Sequence, residues 1–194
     1  MPEELIRFKK WNGEKIERPH FQFAKGDKPL VKFFNKDSKD CCDGRVSTIR
    51  TIYNSKDEFI GYYAIAMSQI DSSSLFDEKK VCTFPHPAIK LGRVLIDSRY
   101  RNKGKYDKKG YGTAVIKNII HIAQQLNEKF IACRFITVDA KTGVVEFYKK
   151  AGFQEIKEKD GNKFKHLKKS ILGILCKAKI NTNTTVPMLF DLKD

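Results

Sequence analysis

The chain has 194 residues, of which 41% are hydrophobic, so it can bury a core as one globular domain spanning 1–194. Its formal net charge of +15 is not needed for folding and indicates a polyanionic partner, unless the source organism enriches all its proteins in lysine. No run approaches 18 apolar residues and the N-terminus lacks a signal-peptide core, so we expect neither a membrane span nor export by that route.

The five cysteines include two adjacent residues, Cys41 and Cys42, and form no CxxC pair. Adjacent cysteines suit neither a zinc site nor an ordinary disulfide. No combination of His, Cys, Asp and Glu has metal-ligand spacing, so we expect no metal. The cysteine pattern fits a reducing compartment and predicts a cytoplasmic protein.

The first half of the chain predicts a strand, a short helix and a β-hairpin. Residues 7–11 fit a first strand, and Asp27-Lys28-Pro29 is typical of a helix start with Asp27 as its cap. A polar loop is predicted at 37–44. Residues 45–53 and 59–67 are rich in β-branched and aromatic side chains and are separated by a polar connection, which predicts the hairpin.

The second half predicts a strand–helix–strand crossover. An apolar run at about 90–97 precedes a basic loop that contains glycines, and an amphipathic helix follows at about 111–126. Residues 130–138 are almost continuously apolar, which is typical of a central strand buried on both faces. A strand, a crossover helix and a parallel strand form a right-handed unit.

The end of the chain completes the predicted sheet. A second helix at about 142–151 would be closed by Gly152 in a left-handed conformation. Short strands are predicted at 153–156 and 186–192. We therefore predict an α/β (α+β) fold with a mixed, mostly antiparallel sheet of about six to seven strands.

The stretch 91–113 joins a strand, a loop rich in Arg, Lys and Gly, and the start of a helix. Small residues let the backbone approach a ligand, while unpaired N–H groups and the helix dipole favour its negative charge. This arrangement predicts a site for a phosphate-bearing cofactor. Gly110 and Gly112 lead directly into the helix, so we place the phosphates there.

These elements, followed by the motif FYKKAGF at 147–153, resemble the GNAT superfamily of acetyl-CoA-dependent N-acetyltransferases. The core motifs of this resemblance cover about 90–156. Further segments resemble the toxin-like branch of the superfamily, whose members acetylate the amino group of aminoacyl-tRNA. Those segments are Phe23-Ala24-Lys25-Gly26 with Leu30, Phe33 and Phe34, then Ile60-Gly61-Tyr62-Tyr63, Leu91-Gly92-Arg93 and Val138-Asp139-Ala140-Lys141.

The resemblance implies a central strand–loop–helix site for acetyl-CoA, with no metal. It places the thioester and the pantetheine arm against backbone N–H groups of a splayed strand. The residues of that strand are Val94, Leu95 and Ile96. The residues implied at the pyrophosphate are Lys108, Lys109, Gly110, Tyr111, Gly112 and Thr113. Tyr148 matches the tyrosine that donates a proton to the coenzyme A thiolate. A packing aromatic on the second helix is the alternative for Tyr148.

The loop departs from the family pattern Q/R-x-x-G-x-G/A. Arg101-Asn102-Lys103-Gly104 begins it, but Tyr106 stands where the second small residue belongs, and an insertion of about six residues follows Tyr100. Side chains of 101–106 are candidates for the 3′-phosphate of coenzyme A or for an RNA phosphate. A solvated surface loop is the alternative.

A basic insertion at about 157–185 separates the last two predicted strands. Within 157–179, eight lysines face only Glu158 and Asp160 as acidic residues. A solvated amphipathic helix is the default interpretation, and an RNA-contact surface or a partner-binding insertion are the alternatives.

We therefore expect an N-acetyltransferase that transfers acetyl from acetyl-CoA to a primary amine, with aminoacyl-tRNA as the favoured acceptor. The charge of +15 agrees with a tRNA partner. A protein or small-molecule acceptor, or a catalytically silent module that binds RNA or a partner, are the alternatives. The resemblance also implies an antitoxin partner and is compatible with a homodimer. No general base is indicated, since Asp97 and Glu146 have no spacing argument behind them.

Overall fold

The computed structural model describes residues 6–18, 20–70, 85–101, 110–156 and 185–193. The strands are β1 (Arg7–Lys10), β2 (Thr48–Tyr53), β3 (Phe59–Ile70), β4 (His86–Ile96), β5 (Phe135–Lys141), β6 (Gln154–Glu155) and β7 (Thr185–Asp191). The helices are α1 (Lys28–Lys36), α2 (Ser38–Asp43), α3 (Tyr111–Lys129) and α4 (Val145–Lys150).

The strands form one sheet in the order β1-β2-β3-β4-β5-β7-β6. Neighbours from β1 to β4 are antiparallel, β4 and β5 are parallel, and β7 runs antiparallel to both β5 and β6. The chain passes from β4 through α3 to β5, so the predicted parallel crossover is confirmed. The mixed, mostly antiparallel sheet predicted from the sequence is confirmed as well.

Each face of the sheet buries its own hydrophobic cluster. On one face, α3 and α4 pack against the sheet through residues such as Val115 and Ile119. On the other face, Phe33 and Phe34 of α1 pack against Tyr62 and Leu95. Phe34 stacks on Tyr62 with ring centroids 4.6 Å apart. The apolar positions of α1 recur three and four residues apart, so they fall on one side of the helix and bury it against the strands.

Two predicted elements have different bounds in the structure. β4 begins at His86, earlier than predicted, and β5 begins only at Phe135. The apolar residues Phe130 and Ile131 are 79% and 54% exposed, so the buried strand predicted at 130–138 is wrong at its start. The reason is that α3 continues to Lys129, and the chain needs a turn before it can enter the sheet.

The polar loop predicted at 37–44 is wrong, because this stretch contains helix α2. The Ser38 hydroxyl donates to the Phe34 carbonyl at 2.6 Å, which links α2 to the preceding helix. Cys41 and Cys42 pack against the aromatic cluster around α1. Tertiary packing of these two partly buried side chains stabilises a helix that the polar sequence did not indicate.

The end of α4 follows the prediction closely. A 3₁₀ turn at Thr142–Val144 precedes α4, and Gly152 follows it with φ +92°. A Cβ on Gly152 would lie 2.9 Å from the Phe190 ring, so glycine is required for two reasons. The interpretations of 102–109 and of the basic insertion at 157–184 lie outside the described residues. Among the helices that the structure describes, none is long and apolar enough to cross a membrane.

Gly61 is predicted to be essential for the pairing of β3 and β4. A Cβ at this position would lie 2.1 Å from the Leu95 carbonyl oxygen, which belongs to the backbone of β4. We expect Gly61→Ala to lower the free energy of unfolding by about 1–3 kcal/mol, since one strand must shift. Urea denaturation measures this change. Gly143→Ala is the control because its Cβ would meet no atom within 4 Å, and equal losses in both variants would contradict the prediction.

Candidate active site

The central feature of the site is a fork between β4 and β5. These strands pair only where Ala88–Leu91 lies beside Phe135–Val138. Beyond that point β4 stays paired with β3 up to Ile96, and β5 stays paired with β7 up to Lys141. The register of β3 and β4 shifts at Gly92, where the fork begins. The two strands therefore diverge while each is held by its outer neighbour, and we call the diverging ends the β4 arm (92–96) and the β5 arm (139–141).

The backbone of the β4 arm presents alternate residues to the fork. The Asp97 N–H donates to the Ile60 carbonyl of β3 at 2.7 Å. Because residues of an antiparallel ladder alternate in direction, the polar backbone groups of Leu95 also face β3, and those of Val94 and Ile96 face the fork. From the sequence, the backbone groups of Val94, Leu95 and Ile96 were all expected to face the cofactor. The structure directs those of Leu95 to β3 and buries its side chain in the cluster under α1.

The first turn of α3 lies next to the fork and has the features of an anion site. Gly110 precedes the helix with φ +69°, a left-handed conformation that favours glycine. The helical ladder starts when the Ala114 N–H donates to the Gly110 carbonyl at 2.9 Å. The N–H groups of Gly112 and Thr113 precede that ladder and point out of the helix start. This end of α3 also carries the positive end of the helix dipole.

The remaining residues predicted at the pyrophosphate divide into two groups. Tyr111 is buried in the core, where its ring meets Tyr100 edge-on at 4.8 Å. Only its backbone can therefore face a ligand. Lys108 and Lys109 lie outside the described residues, so their predicted role stays a prediction.

Tyr148 lies on α4, which contacts the first turn of α3. The Phe147 ring of α4 approaches Gly112 so closely that a Cβ there would lie 3.2 Å from it. Tyr148 itself is 7% exposed and packs edge-on against Phe147 and Phe153. It belongs to the core cluster against which Val94 packs. Burial raises the pKa of Tyr148 to about 12.

Asp97 and Glu146, the two carboxylates considered as a general base, have other partners. Asp97 is completely buried and binds the Arg99 guanidinium at 2.8 Å and the Gln22 N–H at 3.0 Å. This contact raises the pKa of Arg99 further above its usual value. Glu146 is exposed and pairs with Lys149 at 3.2 Å. Both carboxylates thus have structural partners that explain their positions without a role as a base.

Residues 22–27, which include the family-like segment 23–26, form a strap at the mouth of the fork, a position that the sequence did not indicate. The strap joins the β4 arm, because the Gln22 carbonyl accepts from the Ser98 N–H at 2.9 Å. It also reaches the β5 arm, where the Lys141 ammonium donates to the Gly26 carbonyl at 3.4 Å. The strap therefore bridges the two arms on the face of the sheet that carries α1.

Asp27 anchors the strap in a way the sequence did not indicate. It precedes α1 as predicted, but its carboxylate makes no cap hydrogen bond to the helix. It accepts instead from the Ala24 N–H at 3.0 Å and binds both terminal nitrogens of Arg101. Arg101, a candidate for a phosphate, is thus held by a buried carboxylate. No local signal could reveal a pair separated by 74 positions.

A second ion pair marks the base of the fork. The Lys90 ammonium of β4 lies 2.7 Å from the Asp139 carboxylate of β5. This contact spans the two strands at the point where their pairing stops. Within the described residues, no three side chains of His, Cys, Asp or Glu come together as a metal site would require.

Comparisons with known proteins identify the fold. The sequence matches no protein-family model and no curated protein. Solved structures that match include AtaT in complex with acetyl-methionyl-tRNAfMet, with TM-score 0.67, 15% identity and coverage of 81% of this chain and 91% of that chain. A tyrosine-to-phenylalanine variant of KacT matches with TM-score 0.69, 14% identity and coverage of 97% and 95%. A similar variant of the AtaT toxin, bound to acetyl-CoA and to the C-terminus of the antitoxin AtaR, matches with TM-score 0.64, 14% identity and coverage of 97% and 94%. The chain therefore has the GNAT fold that its sequence motifs predicted.

We predict that Asp27→Asn destabilises the protein by about 1–3 kcal/mol. The substitution removes the negative charge of an almost buried ion pair and leaves Arg101 without its partner. Asp57→Asn is the matched control, since Asp57 also pairs with an arginine, Arg7, but is 52% exposed. Loss of that exposed pair should cost less than about 1 kcal/mol. Urea denaturation compares the two. A loss at Asp27 no larger than that at Asp57 would contradict the anchoring role.

Proposed function

We propose that this protein is an acetyl-CoA-dependent N-acetyltransferase whose acceptor is the amino group of an aminoacyl-tRNA. The observation that supports the proposal is the fork between β4 and β5, with α3 and α4, which carries the buried Tyr148, packed together on one face of the sheet. The matching structures of AtaT contain acetyl-methionyl-tRNA in one case and acetyl-CoA in another. AtaT also occurs with the C-terminus of an antitoxin, and we infer an antitoxin as a further partner of this chain.

The fork and the first turn of α3 suit different parts of acetyl-CoA. The polar backbone groups of Val94 and Ile96 offer a strand edge, and an extended amide-containing arm can pair with such an edge. The first turn of α3, entered through the left-handed Gly110, suits a pyrophosphate. When bound, acetyl-CoA would supply an acetyl group activated as a thioester. Donors already fixed in β4 would stabilise the oxyanion that develops during transfer.

The proposed reaction forms an N–C bond between the amine and the acetyl carbon and breaks the C–S bond. The amine loses a proton, and the departing thiolate takes one up. Tyr148 is the proposed donor of the proton to the thiolate. Its raised pKa of about 12 makes the phenol a weak acid. A thiolate held in the same apolar surroundings also becomes more basic, which keeps donor and acceptor matched.

An aminoacyl ester lowers the need for a dedicated base. A free α-amino group has a pKa of about 8, and esterification of the neighbouring carboxyl lowers it further. A substantial fraction of the amine is therefore neutral and nucleophilic at physiological pH. This agrees with the structural partners of Asp97 and Glu146, which explain both carboxylates without a catalytic role.

We predict that Tyr148→Phe lowers kcat by about 10²-fold or more and leaves the Kd for acetyl-CoA unchanged, because it removes the proton donor and keeps the packing ring. Thiol release measures turnover and calorimetry measures binding. Tyr53→Phe is the control, since it removes a hydroxyl from a ring that packs on Phe59 in the hairpin. Turnover equal to that of the control would exclude Tyr148 from the mechanism.

The pH dependence gives a second test of the same residue. Burial raises the pKa of Tyr148, so its protonated, donating form persists up to high pH. We expect no loss of kcat from ionisation of this phenol below about pH 10, since the ionised fraction there is about 1%. A descending limb below pH 10 that Tyr148→Phe abolishes would contradict this assignment.

A further inference from the structure

The exposed side of α1 carries a row of lysines. Lys28, Lys32 and Lys36 recur four residues apart and are all exposed. Lys25 lies in the turn that precedes the helix and is also exposed. We call these four residues the α1 lysine row. The opposite side of the helix is buried through Phe33 and its neighbour, so the helix presents charge outward and apolar surface inward.

The α1 lysine row is unfavourable for the isolated helix. Like charges at positions i and i+4 repel each other and destabilise a helix. α1 contains no Asp or Glu that could compensate, because its sequence is KPLVKFFNK. No ion pair joins the row to any residue that the structure describes. By contrast, Lys90 pairs with Asp139 and Lys149 pairs with Glu155. The positive charge of the row is therefore uncompensated within the described fold and is available to an anionic partner.

α1 borders the side of the fork opposite to α3. The Tyr62 hydroxyl donates to the Leu30 carbonyl at 2.8 Å, which fixes the helix on β3. The Arg93 guanidinium of the β4 arm lies 3.9 Å from the centroid of the Phe33 ring. The strap that leads into α1 crosses the mouth of the fork. The α1 lysine row thus runs outward from the fork on the face away from the proposed pyrophosphate site.

We propose that the α1 lysine row binds the phosphate backbone of the RNA whose aminoacylated end enters the fork. This inference rests on the proposed function and adds the surface that receives the acceptor. Neighbouring lysines of the helix are separated by about 6 Å along its axis, and the whole row spans about 16 Å, enough for several consecutive phosphates. Lysine contacts of this kind supply affinity that does not depend on sequence.

The chemistry of the row favours RNA over an acidic protein. Protein interfaces combine charge with buried aromatic and aliphatic anchors. The aromatic side chains of α1, Phe33 and Phe34, are already buried against the sheet. The exposed side of the helix therefore offers point charges without apolar anchors, which suits a polyphosphate backbone.

The test replaces three members of the row with glutamine, as Lys28→Gln/Lys32→Gln/Lys36→Gln. Binding of deacylated tRNA is measured by fluorescence anisotropy at several salt concentrations, so the readout does not require catalysis. We expect the Kd at physiological salt to rise roughly ten- to hundredfold, and the slope of log K against log salt to fall by about two to three. The Kd for acetyl-CoA and the melting temperature should not fall.

The control is a triple variant with the same loss of charge, Lys129→Gln/Lys150→Gln/Lys193→Gln. These three lysines are exposed outside α1. Equal weakening of tRNA binding by both triple variants would overturn the inference, since only net charge would matter. Weaker binding of polyglutamate with unchanged tRNA binding would also overturn it and would indicate an acidic protein as the occupant.

The same proteins separate this inference from the proposed function. If the wild type transfers acetyl to charged tRNA and the α1 variant still binds tRNA fully, the RNA-binding role of the α1 lysine row is refuted and the proposed function stands. If the α1 variant selectively loses tRNA binding and the wild type transfers no acetyl group, the proposed acetyl transfer is refuted and RNA binding by the α1 lysine row is supported.

Discussion

The divergence of β4 from β5 is the constraint on which the rest of the structure depends. Buried backbone N–H and C=O groups need partners, and two parallel strands that separate leave such groups exposed along both inner edges. Here β3 and β7 hold the outer edges, so the fork stays open without loss of the sheet. Gly61 permits the close approach of β3 to the β4 arm. The resulting edge at Val94 and Ile96 is where we propose that the pantetheine arm binds.

The sheet also separates two functions that the proposed reaction requires. On one face, α3 brings a helix start and α4 brings Tyr148 to the fork. On the other face, α1 and its strap border the same opening. A ligand with phosphates at one end and a reactive group at the other can lie along the fork from the first face, and an acceptor can approach from the second. The ion pair of Asp27 with Arg101 connects the two sides, because it ties the start of α1 to the chain that leads towards α3.

The sequence predicted the parts of the fold that depend on local patterns. The crossover, the hairpin and the left-handed Gly152 follow from periodicity and glycine placement, and the structure confirms them. Helix α2 was not predicted because it is stabilised by packing of the partly buried Cys41 and Cys42 against aromatic residues distant in sequence. The start of β5 was misplaced since apolar residues at the end of α3 look like a strand but remain exposed. The order of the motifs indicated Tyr148 and Gly110 as candidate site residues. The ion pair of Asp27 with Arg101 could not be predicted, because it joins distant parts of the chain.

The most direct test of the proposed activity is an acetyl transfer assay with the purified protein and radiolabelled acetyl-CoA. Aminoacylated tRNA, deacylated tRNA and bulk cell protein serve as parallel acceptors. We expect label on aminoacylated tRNA alone, released together with the amino acid when the ester is hydrolysed by mild base. Label on protein, or no label on any acceptor despite measurable binding of acetyl-CoA, would contradict it.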